Sequence, residues 1–78
     1  MNKTVKIYST PACPYCIRAK QFLKDNNIDY IDIDVSDDQA AGEEMIRLSG
    51  QMGVPVIDVD GLIIVGFDKE KLKQALGI

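Results

Sequence analysis

Histidine is absent from the 78 residues, and cysteine occurs only twice. A zinc site draws about four ligands, chiefly from those residue types. A metal would therefore have to be shared between two chains. Long apolar runs are also missing: none approaches the ~18–20 residues of a membrane span. Nor does the N-terminus carry the apolar core of a signal peptide. No membrane or export role is expected, and two cysteines confined to one short motif suit a reducing cytosol. Excess positive charge is lacking too. Nine Lys and Arg against twelve Asp and Glu leave a net charge of −3, which offers no case for nucleic-acid binding. Without repeats, linkers or low-complexity stretches, and with 46% hydrophobic residues, residues 1–78 read as a single small globular domain.

What is present begins with Cys13-Pro14-Tyr15-Cys16. A strand-like run, Val5-Lys6-Ile7-Tyr8, precedes it through a short loop, and an amphipathic stretch from Ile17 to Asn26 follows. Strand, loop, dithiol, helix is the setting in which C-x-x-C reads as a redox pair. A helix N-terminus offers unpaired N–H groups and the positive end of the dipole, which stabilise a thiolate and draw a cysteine pKa below ~8.5. Pro14 suits the first helical turn, where its missing N–H is not needed. Cys13 is then the exposed nucleophile and Cys16 the shielded resolving thiol. A purely structural disulfide across two residues would close little chain entropy. Two buried, inert cysteines are the remaining alternative, against which the flanking prolines and the helix-start position count. Charge is uneven: residues 1–24 hold Lys3, Lys6, Arg18, Lys20 and Lys24 and no acid, whereas Asp25 to Asp38 holds six aspartates. The dithiol thus lies in locally basic chain, which favours a thiolate and an anionic partner. Taken singly, any one of these lysines reads better as part of a solvated helix face.

Alternation of Val5 and Ile7 with Thr4 and Lys6 predicts a first strand. A helix is expected over about Pro14 to Asn26, with Ala19, Phe22 and Leu23 as its core stripe. Ile31, Ile33 and Val35 alternate with Asp32 and Asp34, predicting a second strand with one buried face. Ser36-Asp37-Asp38-Gln39 has the form of a capping box opening a helix that runs to about Ser49, buries Ala41, Met45 and Leu48, and stops at Gly50. Two β-rich runs, Val56–Val59 and Leu62–Val65, flank Asp60-Gly61, a strong hairpin signal. A last helix is expected with Asp68 as N-cap and Leu72, Ala75 and Leu76 inward. The order β-α-β-α-β-β-α calls for an α/β fold. Its four-stranded mixed sheet has a parallel first pair, an antiparallel hairpin, and three flanking helices. A thioredoxin-like fold is compatible with it.

Cys13-Pro14-Tyr15-Cys16, Arg18-Ala19-Lys20, Gly53-Val54-Pro55 and Val65-Gly66-Phe67-Asp68 together resemble a glutaredoxin, over essentially the whole chain. The C-P-Y-C motif resembles the small bacterial dithiol type. The Gly53–Ile57 and Val65–Lys69 runs look most like short clostridial-type glutaredoxin-like proteins, some of which use selenocysteine at the position of Cys13. The resemblance implies a thiol–disulfide oxidoreductase with Cys13 and Cys16 catalytic. It further implies a cis Pro55 that lets a substrate pair with Val54 like an added strand. A glutathione groove would be formed by Tyr15, Val54, Pro55, Gly66, Phe67 and Asp68, with the γ-glutamyl carboxylate at the start of the last helix. Tyr15 would be a wall of that groove, and Arg18 would favour the thiolate or the substrate carboxylates.

By the same resemblance the co-substrate is glutathione, and no cofactor is tightly bound. The partners are glutathionylated or disulfide-containing proteins, and the chain acts as a monomer. Its potential is expected in the glutaredoxin range, ~−200 to −230 mV, above thioredoxin's ~−270 mV. The pattern is departed from at Thr10, where a lysine is common, at Gln51, where arginine or lysine is frequent, and at Gly53, where threonine is usual. A glycine pair before the last helix is reduced to Val65-Gly66. Each departure removes a charge or donor from the groove. They open an alternative: a glutaredoxin-like redoxin reduced by thioredoxin reductase and serving ribonucleotide reductase. In a third reading, of the binding class, Cys13 and glutathione bridge an iron–sulfur cluster between subunits, which a proline after the first cysteine disfavours.

Overall fold

Alternation and amphipathic spacing condense into β1 (Val5–Ser9), α1 (Pro14–Asp25), β2 (Ile31–Asp34), α2 (Gln39–Ser49), β3 (Val56–Val59), β4 (Leu62–Val65) and α3 (Lys69–Leu76). The computed structural model describes residues 4–51 and 53–78, so Lys3 of the basic N-terminal part lies outside the described residues. The four strands form one sheet in the order β2-β1-β3-β4. β1 pairs parallel with β2 and antiparallel with β3, and β3 pairs antiparallel with β4. This is the mixed, three-helix, thioredoxin-like α/β arrangement expected from the element order. Among the described residues no helix is long and apolar enough to cross a membrane.

Successive strand residues point to opposite sheet faces, so the strands feed two cores. On one face Val5, Ile7, Ile57, Val59 and Ile64 meet Ala19, Phe22 and Leu23 of α1 and Leu72 and Ala75 of α3. On the other, Tyr8 and Val56 meet Met45 of α2. The β3–β4 hairpin turns through Asp60 and Gly61, both at positive φ (53° and 96°), the two-residue geometry that Asp-Gly favours. Asp68 caps α3, accepting the Lys71 N–H at 3.1 Å. Gly50 ends α2 in the left-handed region at φ 76°, where a side chain would be strained.

The second strand and helix depart from expectation. Ile31 is 52% exposed, because β2 is an edge strand; only Ile33 and Val35 reach the core beside α2. Ser36 does not cap α2. Its N–H and hydroxyl both donate to Asp34 Oδ1, while Asp38 is the N-cap and accepts from the Ala41 N–H at 3.1 Å. The chain spends one more turn after β2 before entering the helix, which shifts the cap by two residues. Of the expected α2 core residues Met45 is buried, Ala41 half-buried, and Leu48 41% exposed, since α2 lies over one face alone.

Candidate functional site

The first parallel β–α connection delivers Cys13 to the start of α1. Its backbone is extended (φ −92°, ψ 111°), which makes it the N-cap, and Pro14 follows at the first helical position. An N-cap side chain accepts an otherwise unpaired N–H of the first turn. Here that acceptor is sulfur, with the Cys16 N–H donating to Cys13 Sγ at 3.2 Å. The contact holds the Cys13 sulfur at the positive end of the helix dipole. Cys13 is half-exposed, Cys16 is buried, and both are free thiols.

Cys16 therefore stands in a different environment one turn further in. Burial pushes its thiol up to about 11, and the hydrogen bond with Cys13 adds to the rise. A backbone hydrogen bond from Thr10 and the positive charge of Lys20 pull the other way. At neutral pH Cys16 is a protonated thiol, poised behind an accessible one.

Opposite the dithiol lies the loop before β3. The Val54–Pro55 peptide is cis, and the Cys13 thiol reaches the Val54 carbonyl oxygen at 3.9 Å. Pro55 is buried, and its carbonyl accepts the Gly66 N–H at 2.8 Å. Gly66, at φ 78°, occupies a conformation that favours glycine. Cys13, Val54, Pro55 and Gly66 thus form one continuous strip, although the sequence separates them by more than fifty residues.

The remaining groove candidates are less uniform. Tyr15 is 59% exposed, with the Arg18 guanidinium stacked 5.8 Å from its ring centre. Phe67 is half-buried and packs edge-on against Phe22, ring centres 6.1 Å apart. Its side chain serves the α1–α3 core, so what Phe67 offers at the helix start is backbone. The Asp68 carboxylate is engaged as the α3 cap.

Sequence reasoning missed one polar cluster. Lys20 Nζ lies 2.8 Å from Asp32 Oδ2, and the Ser9 hydroxyl donates to Asp32 Oδ1 at 2.9 Å. The i, i+4 spacing of Cys16 and Lys20 was a usable signal. Asp32 carried none, because it reads as the solvent side of a strand.

Comparison with known proteins bears on this arrangement. The glutaredoxin family model matches residues 5–64. An uncharacterized glutaredoxin-like 8.6 kDa protein in the rubredoxin operon of Clostridium pasteurianum is 53% identical over 72 residues, 92% of this chain and 96% of that one. Glutaredoxin 3 of Escherichia coli K12 is 39% identical over 64 residues, 82% of this chain and 77% of that protein. Among solved structures, the thioredoxin-like protein BC3987 superposes with a TM-score of 0.88 at 37% identity, covering 94% of this chain and 100% of that one.

Proposed function

This chain belongs to the glutaredoxin family of thiol–disulfide redox proteins, and we propose that it is the glutathione-dependent dithiol type, with Cys13 as nucleophile and Cys16 as resolving thiol. The observation that carries this reading is the pairing of a half-exposed sulfur at a helix N-cap with the Val54 carbonyl across the cis-proline loop. A substrate strand laid along Val54 would bring its disulfide in line with Cys13 Sγ.

With a glutathionylated protein, the Cys13 thiolate attacks the glutathione sulfur. The sulfur–sulfur bond to the protein breaks, and the protein thiol leaves with a proton taken from water. A second glutathione then reduces the Cys13–glutathione disulfide. With a protein disulfide, Cys13 forms the mixed disulfide and Cys16 displaces the substrate, leaving Cys13–Cys16 oxidised. Both electrons travel on the two sulfurs, so no bound cofactor is needed. The protein acts as a monomer in the cytosol, where a reducing glutathione pool keeps the pair as thiols.

A second reading is favoured by the groove itself. Thr10, Gln51 and Gly53 supply no charge where glutaredoxins commonly carry a cation or a further donor. A lost charge-assisted hydrogen bond weakens binding by roughly 1.5–3 kcal/mol, and several together would pass electron supply to thioredoxin reductase, with ribonucleotide reductase as the acceptor. Turnover of a glutathionylated peptide with glutathione and glutathione reductase, beside an assay with thioredoxin reductase, separates the two. Activity in the glutathione system is expected, and activity with thioredoxin reductase alone would replace the first reading by the second. Cys13→Ser is expected to abolish all thiol transfer. Cys16→Ser should keep turnover on glutathionylated peptide while losing protein-disulfide reduction; loss of both would remove the monothiol route.

A further inference from the structure

Three elements converge on Lys20, one helical turn after the resolving thiol. Lys20 stands one turn after Cys16 on the same face of α1. Its ammonium is fixed 2.8 Å from Asp32 on β2, and Asp32 is held in turn by the Ser9 hydroxyl at the end of β1, 2.9 Å away. Ser9 is buried, at 1% exposure, and Lys20 retains 21%. A solvent-exposed ion pair is mobile and contributes little to stability. Here the Asp32 side chain is 47% exposed, but its second oxygen is tied to a buried hydroxyl, which anchors the pair one turn along α1 from Cys16.

We propose that Lys20, held in place by Asp32 and Ser9, is a positioning residue for the resolving step: it supplies the cation beside which Cys16 ionises to attack the Cys13 mixed disulfide. The inference rests on the reading of Cys16 as the resolving thiol. Lys20 touches neither the substrate nor the reacting sulfur atoms; it acts through Cys16. In this step the Cys16 thiol gives its proton to water, and its thiolate attacks Cys13 Sγ. The Cys16–Cys13 bond forms as the bond from Cys13 to the substrate sulfur breaks. That sulfur leaves with the electron pair and takes a proton from water. The substrate disulfide has then gained two electrons, and the dithiol has become a disulfide.

The opposing influences on Cys16 are few. Burial and the Cys13 sulfur disfavour its thiolate, whereas Lys20 and the Thr10 backbone favour it. From β2, Asp32 pairs with the same ammonium, and Asp34 also feels its charge. These acids offset part of the cation, so its removal should weaken the resolving step without abolishing it. Since one unit of pKa is tenfold in thiolate population, a slowing of about two- to tenfold near neutral pH is expected.

The decisive experiment follows the Cys16 Cβ chemical shift by NMR against pH in the native chain, Lys20→Gln and Lys20→Arg. Single-turnover release of substrate from the Cys13 mixed disulfide is measured in parallel. The inference expects Lys20→Gln to move the Cys16 titration upward and slow release, with Lys20→Arg restoring both. It also expects the kinetic effect to vanish when Lys20→Gln is combined with Cys16→Ser and assayed on a glutathionylated peptide. A Cys16 titration unmoved by Lys20→Gln, or the same slowing with Cys16 replaced, would overturn it. The titration decides the inference even if Lys20→Gln loses stability, because it reads the folded population directly. If the native chain reduces no protein disulfide, the functional reading fails instead, and the titration still tests the Lys20–Cys16 coupling.

Discussion

Cys13 and Cys16 share a motif and differ in everything the fold adds. The first caps the helix with its sulfur and keeps partial access to solvent; the second is enclosed one turn later. The enclosure has a thermodynamic consequence. Cys16 is raised from 9.0 to about 11 in the folded chain, so across that window the unfolded chain binds fewer protons than the folded one. The stabilisation is complete below pH 9.0 and is lost as pH climbs towards about 11. Tyr8, raised from 10.0 by burial and by Glu44 and Asp58, adds a loss of the same sign. Urea melts at successive alkaline pH values should show stability falling more steeply for the native chain than for Cys16→Ala. Parallel slopes would place no titration at Cys16.

At the level of elements, what distinguishes the well-foreseen helices from α2 is the chemistry at their starts. Pro14 and Asp68 announce α1 and α3 without competition. Ahead of α2, Ser36, Asp37 and Asp38 are all capping residues, and local hydrogen bonding decides among them. Asp34 captures Ser36 in a turn, leaving Asp38 to accept the Ala41 N–H. Asp38→Ala should therefore cost about 1 kcal/mol of stability in chemical denaturation. Ser36→Ala should leave the α2 cap intact and cost less; the reverse ranking would restore the capping box at Ser36. β2 illustrates a different limit. Its alternation is regular, but at a sheet edge one position expected inward, Ile31, stays 52% exposed.

At the scale of the whole molecule, two thin cores share a four-stranded sheet, and the larger one is closed by α1 and α3 together. Leu72, fully buried, is the main residue by which the short α3 holds its place. A domain of this size has roughly 4–12 kcal/mol of stability at ~0.05–0.15 kcal/mol per residue. Leu72→Ala, leaving a cavity, should remove about 2–5 kcal/mol of it, measured by urea unfolding. A cost below ~1 kcal/mol would mean that α3 is held elsewhere. Element order, the hairpin turn, the starts of α1 and α3 and the placement of both cysteines at the start of α1 were all legible in the chain, because each follows from neighbours a few residues apart: period-2 or period-3.6 patterning, Asp60-Gly61, Pro14, Asp68. Locality gave no hint that the Phe67 ring packs edge-on against Phe22 of α1. It also hid the link from Ser9 through Asp32 to Lys20, whose members lie on β1, β2 and α1. The chain by itself determined which short segments form and which two sulfur atoms stand one helical turn apart. Only the tertiary structure decided how far each sulfur is enclosed, that the Val54 carbonyl comes within 3.9 Å of the first, and that Lys20 is anchored by Asp32 and Ser9. Exposure, apposition and electric field are properties of residues distant in sequence, and they exist only once the sheet has brought those residues together.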